Sequence, residues 1–418
     1  MTNHHPSLHE PLELPCGATL PNRIAKAAMS ELLAARDGTV TDELLRLYGT
    51  WARSGAGLLI SGNVIIDRTS LVEPRNVIAD TSACLPGLRR WSDTVHATNT
   101  RLWMQINHPG RVATVPFNHR PVGPSPQREP VPGFNLRTPT ELSAVRIQEI
   151  IGQYARTAAL AVDGGFDGVQ IHAAHGFLLS QFLSPLANTR TDRYGGTPAN
   201  RRRILLEIVA AVRNAVGPAI PISVKLNSAD FQHGGFTEAE SLDVAYALDD
   251  AGIDLLEISG GNYASPPTEI GGQQNRTTTH GYFSRYATTL RASMAGPLML
   301  TGGLRSKNAM ERAMDEGIDV IGIARPMACI PDYPARILAG EREPALPVGP
   351  RKLGYRPLDG YLQIAVHNHQ IHRMAKGLTP RRTAGLATAV KAIARNGAAG
   401  LTQVAVPAAG RHQLTSAR

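Results

Sequence analysis

Short apolar runs of strand length alternate with amphipathic helical segments from Arg23 to about Ala339. The runs are Ile24–Ala28, Gly57–Asn63, Arg101–Asn107, Phe166–His172, Ile220–Leu226, Ile253–Ile258, Leu298–Thr301 and Val320–Ala324. Near-continuous apolar strands separated by helices are what a parallel sheet buried on both faces produces, and eight of them suffice to close a barrel. Several begin after a glycine turn that ends a helix: Ala161-Val-Asp-Gly-Gly-Phe-Asp167, Asp250-Ala-Gly-Ile-Asp254 and Asp315-Glu-Gly-Ile-Asp319. Glycine just past a helix, then a buried strand, marks an αβ corner. Its recurrence is a weak internal repeat that favours a (β/α)8 TIM barrel over a doubly wound sheet.

The pattern predicts a barrel domain over residues 1–342 and a C-terminal extension over 343–418, helical at Tyr361–Gly377 and Ala384–Arg395 and frayed after Gly397. The connection Pro109–Ser143 holds Pro121-Val-Gly-Pro-Ser-Pro and Pro130-Val-Pro-Gly, so it reads as extended and loop-like. A connection this long at the catalytic end of a barrel usually shapes a binding site.

Composition adds limits. In 418 residues, 42% are hydrophobic and 18% charged, which suits a globular chain with a large core. No stretch nears the roughly 20 apolar residues of a membrane span, and Met1–Glu10 is polar and His-rich, so a cytoplasmic protein without a membrane partner is expected. Cys16, Cys84 and Cys329 stand far apart, which argues against an iron–sulfur cluster, a structural zinc or a disulfide framework. The formal charge of +9 hints at nucleic acid until it is divided along the chain. Residues 343–418 hold 11 of the 43 basic and 2 of the 34 acidic residues, so the body before them is neutral, with 32 of each sign. A basic, solvated tail is then the simpler reading, and no nucleic-acid partner is expected. Homo-oligomerisation is left open.

The candidate chemistry starts at Asp167-Gly-Val-Gln-Ile-His172-Ala-Ala-His175-Gly-Phe177, where an apolar strand ends in two histidines at a strand-to-helix corner. In a barrel such a corner faces the active-site mouth. Helix-capping buried histidines and a metal-ligand pair of a barrel lyase or hydrolase are alternative readings. Further on, Leu298-Met-Leu-Thr301-Gly302-Gly303-Leu-Arg305-Ser306 runs a strand into a two-glycine turn and a helix start, where backbone N–H groups can approach a phosphate. One strand later, Gly322-Ile-Ala324-Arg325 adds a small residue and a guanidinium. No G-x-G-x-x-G follows an early strand and no Walker loop occurs, so neither a Rossmann nor an NTP site is indicated. Gln105, in a strand that runs on to His108, and Lys225, inside another, are costly to bury unless a polar ligand, a backbone group or an ion pair meets them.

Over roughly residues 8–342 the chain resembles the old yellow enzyme family of FMN-dependent oxidoreductases, the NADH:flavin oxidoreductases. The motifs that carry the resemblance are Pro21-Asn-Arg-Ile24 with Ala27-Ala28-Met29-Ser30, Gln105-x-x-His108-x-Gly110-Arg111, His172-Ala-Ala-His175-Gly176, Gln181-Phe-Leu-Ser-Pro185, and Asn188-Thr-Arg-Thr-Asp192-Arg-Tyr194-Gly-Gly196 with Asn200-Arg201. The last is the most specific. The resemblance implies that Ala27, Ala28, Met29 and Ser30 pass alongside the flavin, with Ser30 where relatives place a Thr or Cys. It puts Gly62 and Gln105 at the ring edge and Lys225 near flavin N1. Gly302, Gly303, Ala324 and Arg325 then serve the FMN phosphate, and His172 with His175 the carbonyl or other electron-withdrawing group of an acceptor.

The implied reaction is ping-pong: NADH or NADPH reduces FMN and leaves, and a small electron acceptor (an activated alkene, a quinone or a nitro compound) takes the hydride. One departure stands out. The family's tyrosine proton donor corresponds to Phe177, whose ring has no proton to give, so Tyr263, Tyr282 or solvent must donate, or the acceptor needs none. Leu32 likewise stands where some relatives have a substrate-contacting tyrosine. An oxidative demethylase is the alternative within flavin chemistry, and an RNA-binding flavoprotein using the basic tail is a third.

Overall fold

The three repeated corners explain the register of the barrel. In each, the aspartate after the turn exchanges two hydrogen bonds with one residue at the start of the preceding strand. Asp167 pairs this way with Leu102, Asp254 with Ile222 and Asp319 with Leu298, at 2.7–2.9 Å. The glycines ahead of them, Gly165, Gly252 and Gly317, have positive φ, which lets the chain leave the helix and re-enter the sheet. Each aspartate also meets an arginine: Arg101, Arg213 and Arg291 respectively.

The computed structural model describes residues 6–113, 120–129, 136–260, 283–346, 353–354 and 356–404. Eight parallel strands close into a barrel. They are β1 (Ile24–Lys26), β2 (Leu58–Ile65), β3 (Arg101–Asn107), β4 (Gly168–Ala173), β5 (Ile222–Asn227), β6 (Leu255–Ser259), β7 (Leu298–Thr301) and β8 (Val320–Ile323). Every strand expected from the apolar pattern is present, and the α/β TIM-barrel fold is therefore established. Strand ends differ by up to two residues from the apolar runs: β2 and β4 continue pairing through Ile65 and Ala173, and β5 and β6 continue into the polar positions Asn227 and Ser259.

The strands alternate with helices α1 (Asp42–Ala52), α2 (Leu85–His96), α3 (Ala144–Asp163), α4 (Pro198–Val216), α5 (Glu238–Asp250), α6 (Phe283–Arg291), α7 (Lys307–Asp315) and α8 (Tyr333–Leu338). Thr41, Ser143, Thr197, Thr237 and Ser306 cap α1, α3, α4, α5 and α7, each side chain accepting a backbone N–H of the first turn. An antiparallel pair, Leu12–Glu13 with Thr19–Leu20, seals the amino-terminal end. Leu12, Leu14 and Leu20 pack there with Ala25, Leu58, Trp103, Leu255 and Val320 inside the barrel.

The Pro-rich connection contributes a short parallel pair, Val122–Gly123 with Thr140–Glu141, and Arg190 anchors it by donating to Pro124 O at 2.9 Å and Leu142 O at 2.6 Å. The extension forms α9 (Arg356–Ala375) and α10 (Leu386–Val404). Where fraying is expected after Gly397, the helix runs on to Val404, since Ala-Ala-Gly-Leu-Thr-Gln continues with mostly good helix formers, and residues 405–418 lie outside the described residues. α9 packs on α1, and Arg46 donates to Ala375 O at 2.6 Å. No described helix is long and apolar enough to cross a membrane.

The barrel interior is polar at its centre. Lys225 and Glu257 face each other across β5 and β6 and form an ion pair at 2.8 Å, both fully enclosed. Glu257 also accepts from Thr301 Oγ1 at 2.7 Å and from Gln170 Nε2 at 2.8 Å, and Gln105 Nε2 donates to Gln170 Oε1 at 2.8 Å. Replacing Glu257 by Gln leaves the Lys225 ammonium buried without a counter-charge, so the variant is expected to lose about 3–5 kcal/mol in urea unfolding, and the double change with Lys225→Met to regain most of it. A loss below about 1 kcal/mol in the single variant shows that the pair does not hold the barrel.

Candidate active site

The imidazole side of the mouth is assembled from the ends of β3, β4, β5 and β6. On β4, His172 lies in register with Lys225 of β5. The chain then turns sharply: His175 has φ +62° and Gly176 φ +76°, two successive left-handed residues that swing the second imidazole back over the first. The Asn227 carboxamide at the end of β5 accepts from His175 N at 3.2 Å and holds the turn. His172 Nε2 and His175 Nδ1 share a hydrogen bond of 3.2 Å, and His175 Nε2 meets Ser259 Oγ of β6 at 2.7 Å.

Both rings are kept neutral. Burial is the main cause, with the Lys225 charge adding to it; His175 is pushed down to about 3, and His172, pressed also by His175, lies well below the usual imidazole range. A neutral imidazole still has an N–H to donate. His172 Nδ1 is buried without a partner, as are the Asn107 amide at the end of β3 and Ser228 Oγ just past β5. Unpaired polar atoms cost about 1–3 kcal/mol each, so several gathered at one end of a barrel fit a polar ligand there.

The remaining residues expected at the site divide into two groups. Ala27 N bonds Ile323 O at 2.9 Å, and Ala28, Met29 and Ser30 emerge half-buried at the mouth. Gly62 lies in a bulge of β2, between the registered residues Ile60 and Asn63. A β-carbon on Gly62 would meet Glu31 Oε2 and Met29 O at 2.0 and 2.5 Å, so the segment 27–31 can lie against β2 only over glycine. Gln105 N is satisfied by Ser61 Oγ at 2.9 Å, which patches the ladder beside the bulge.

At the other pole, Gly302 (φ +132°) and Gly303 (φ +78°) turn the chain from β7 toward α7. Ala324 and Arg325 follow β8. Neither Arg325 nor Arg305 has a carboxylate partner among the described residues. Burial, with the charge of Arg305, pulls Arg325 below the usual guanidinium range, and His367 of α9 is pulled down to about 4 by burial and by both arginines. A half-buried guanidinium and an exposed one, neither with a carboxylate partner among the described residues, next to a two-glycine turn, fit a phosphate.

The structure thus brings the expected residues to one end of the barrel in two poles, a polar mouth and a cationic turn. Lys225 is engaged by Glu257, so its charge reaches the mouth already compensated. Sequence reading missed Glu257, Gln170, Glu31 and His367, and it included Arg305 in the two-glycine segment without giving it a role. The first two carried a signal, a charged and an amide residue inside apolar strands; the others gain a role only from the fold. Tyr263 and Tyr282 lie outside the described residues. Phe177 is buried, its ring 4.7 Å from that of His172. Gln181 joins the loops after β3 and β4, donating to Pro109 O at 3.0 Å and Gly176 O at 2.7 Å and accepting from Arg111 N at 3.1 Å. Among the described residues no three His, Cys, Asp or Glu side chains converge as metal ligands.

A family model described as the NADH:flavin oxidoreductase / NADH oxidase family matches residues 7–343. The NADH-dependent flavin oxidoreductase iccE of Talaromyces variabilis is 35% identical, over 79% of this chain and 86% of its own length. The NADH-dependent flavin oxidoreductase iliE of Neonectria sp. (strain DH2) is 34% identical over 78% of this chain, which spans about half of that relative, 46% of it. Among solved structures, morphinone reductase superposes with a TM-score of 0.71 at 28% identity, over 82% of this chain and 92% of that one. With the barrel, the paired imidazoles and the cationic turn in place, the chain belongs to the NADH:flavin oxidoreductase / NADH oxidase family, the old yellow enzyme family, and is an oxidoreductase.

Proposed function

We propose that this oxidoreductase uses FMN, takes hydride from NADH or NADPH, and passes it in a ping-pong cycle to an electron-poor small molecule: an activated alkene, a quinone or a nitro compound. The observation that carries this reading is the pairing of the two poles, a cationic turn suited to a phosphate at one side of the mouth and neutral imidazole donors at the other. Bound FMN supplies a two-electron carrier whose ring accepts and releases hydride.

The chain's own residues do the rest. Arg325, Arg305 and the Gly302–Gly303 turn hold the phosphate, the segment 27–30 and Gln105 flank the ring, and His172 with His175 orients the acceptor and steadies negative charge growing on its oxygen. Relatives named NADH-dependent favour NADH as the reductant, and a relative named for morphinone supports a small organic acceptor. A cytoplasmic location accords with a supply of NADH and with three free cysteines.

The purified protein is expected to be yellow, and anaerobic NADH to bleach it; colourless protein that binds no FMN ends the proposal, and methylated amines turning over where enones and quinones fail favours the demethylase. Replacing Arg325 by Ala is expected to weaken FMN binding about 10–100-fold in a fluorescence titration while leaving riboflavin, which lacks the phosphate, nearly unchanged. Equal weakening of both ligands places the phosphate elsewhere. Because the imidazoles are pushed far below their usual range, acceptor-driven reoxidation should show no limb near pH 6.5 attributable to them; a limb there that disappears in His175→Asn contradicts the neutral pair.

A further inference from the structure

The loop after β2 holds a carboxyl that the chemistry above leaves unused. Ser30 hydrogen-bonds the Glu73 side chain. Around that contact, Asn63 Nδ2 donates to Ser30 Oγ at 3.3 Å, Asn76 Nδ2 to Asn63 Oδ1 at 2.8 Å, and Glu73 N to Asn76 Oδ1 at 2.9 Å. This ring of bonds fastens the loop to the segment 27–30, which by family likeness runs beside the flavin.

One oxygen of the carboxyl, Glu73 Oε2, is buried and has no partner. A bare carboxylate oxygen in that setting is unfavourable, and the neutral acid is the form that tolerates it. Burial raises Glu73 above the ordinary range of a glutamate, the bond from Ser30 opposes this, and the nearby Glu31 charge adds to the rise. The titratable groups facing it are Glu31 after β1 and Tyr361 of α9.

The same loop reaches the place where a proton donor is missing. Leu71 and Val72, immediately before Glu73, share an apolar cluster with Phe177, and Phe177 lies on His172. Phenylalanine offers no hydroxyl at the position that follows the paired imidazoles, while an acid stands one residue beyond the contact.

We propose that Glu73 is the proton donor of the oxidative half-reaction, giving its proton to the α-carbon of an activated alkene in the role that Phe177 has no hydroxyl to fill. This rests on the alkene-acceptor reading above. As hydride arrives, the β-carbon gains a C–H bond and the π pair moves toward the oxygen held by the imidazoles. The Glu73 O–H bond then breaks as the α-carbon C–H bond forms. The acceptor gains two electrons, which NADH had delivered to the flavin, and the Glu73 carboxylate, steadied by Ser30, regains its proton from solvent.

The test compares Glu73→Gln with the wild-type holoenzyme, reduced anaerobically and reoxidised either by cyclohexenone or by a quinone, whose oxygens take protons from water. Reoxidation by the enone is expected to slow about 10²-fold in the variant, with the quinone rate kept and Glu73→Asp partly restoring the enone rate. Equal slowing with both acceptors, or no slowing with either, overturns the proposal. Wild-type enzyme that NADH bleaches but no enone reoxidises overturns the acceptor reading itself.

Melting of the unloaded protein gives an independent readout. A carboxyl raised in the folded state contributes stability that is present below the unfolded value and lost as pH rises through the folded one. The glutamine variant should therefore melt above wild type near neutral pH, with the gap narrowing as pH falls toward 4.5, the ordinary value of the group. Parallel melting curves at every pH also overturn the proposal.

Discussion

The buried ion pair of Lys225 and Glu257 is the constraint around which the inside of this barrel is arranged. An isolated ammonium or carboxylate there is strongly disfavoured, and removing one partner of such a pair is worse than having neither. Glu257 answers Lys225 with one oxygen and Gln170 with the other, while Thr301 shares the first. Through Gln170 the chain of bonds reaches Gln105. One carboxylate on β6 thereby ties together polar side chains from β3, β4, β5 and β7, and the strand ends above them inherit that rigidity. Lys26 is the second enclosed cation. It is held by the carbonyls of Ile60 and Ala27 at 2.7 and 3.1 Å and lies 4.6 Å from the Trp51 ring, with burial pulling it down to about 8.

Burial at the strand ends, with the Lys225 charge adding to it, makes positive charge there unfavourable, so the imidazoles stay neutral and act as hydrogen-bond donors rather than as acids. Under the proposed function, that suits a site that holds a growing negative charge on an acceptor without giving up its own proton, and it separates two tasks that a single acidic histidine would merge: orienting the oxygen of the acceptor, and supplying a proton to its carbon.

The architecture was legible in the chain because its strands are buried on both faces and its corners repeat. Gly165, Gly252 and Gly317 signalled where helices end, and Asp167, Asp254 and Asp319 proved to be the residues that set register. The most family-specific motif behaves differently from what its specificity suggests. Arg190 binds Asp192 and the carbonyls of Pro124 and Leu142, Asn188 Nδ2 donates to Phe182 O and Tyr194 O, and Arg201 reaches Leu183 O and Glu240. These residues are framework, and they mark the family because the framework has few alternatives. What could not be read was pairing across distance. Lys225 showed itself as a lysine in a strand, but nothing in its neighbourhood along the chain pointed to Glu257. Glu73 is an ordinary loop glutamate until folding brings Ser30 to it.

The same limitation applies to the extension, which in sequence is a weakly patterned basic tail. In the fold, α9 holds the mouth from outside. His372 Nε2 donates to Glu31 O at 2.9 Å, with Asn368 alongside at 3.4 Å, while the Glu31 side chain accepts from Gly62 N at 2.8 Å and from the Tyr48 hydroxyl. Glu31 is therefore a rivet between the bulge of β2, the segment 27–30, and a helix far along the chain. His367 of the same helix lies within the field of Arg305 and Arg325. That helix therefore meets both poles of the mouth, one through the Glu31 carbonyl and the other through His367, which burial and then the two arginines pull down to about 4. The basic extension is then the outer wall of the site, holding Glu31 from outside and setting His367 beside Arg305 and Arg325.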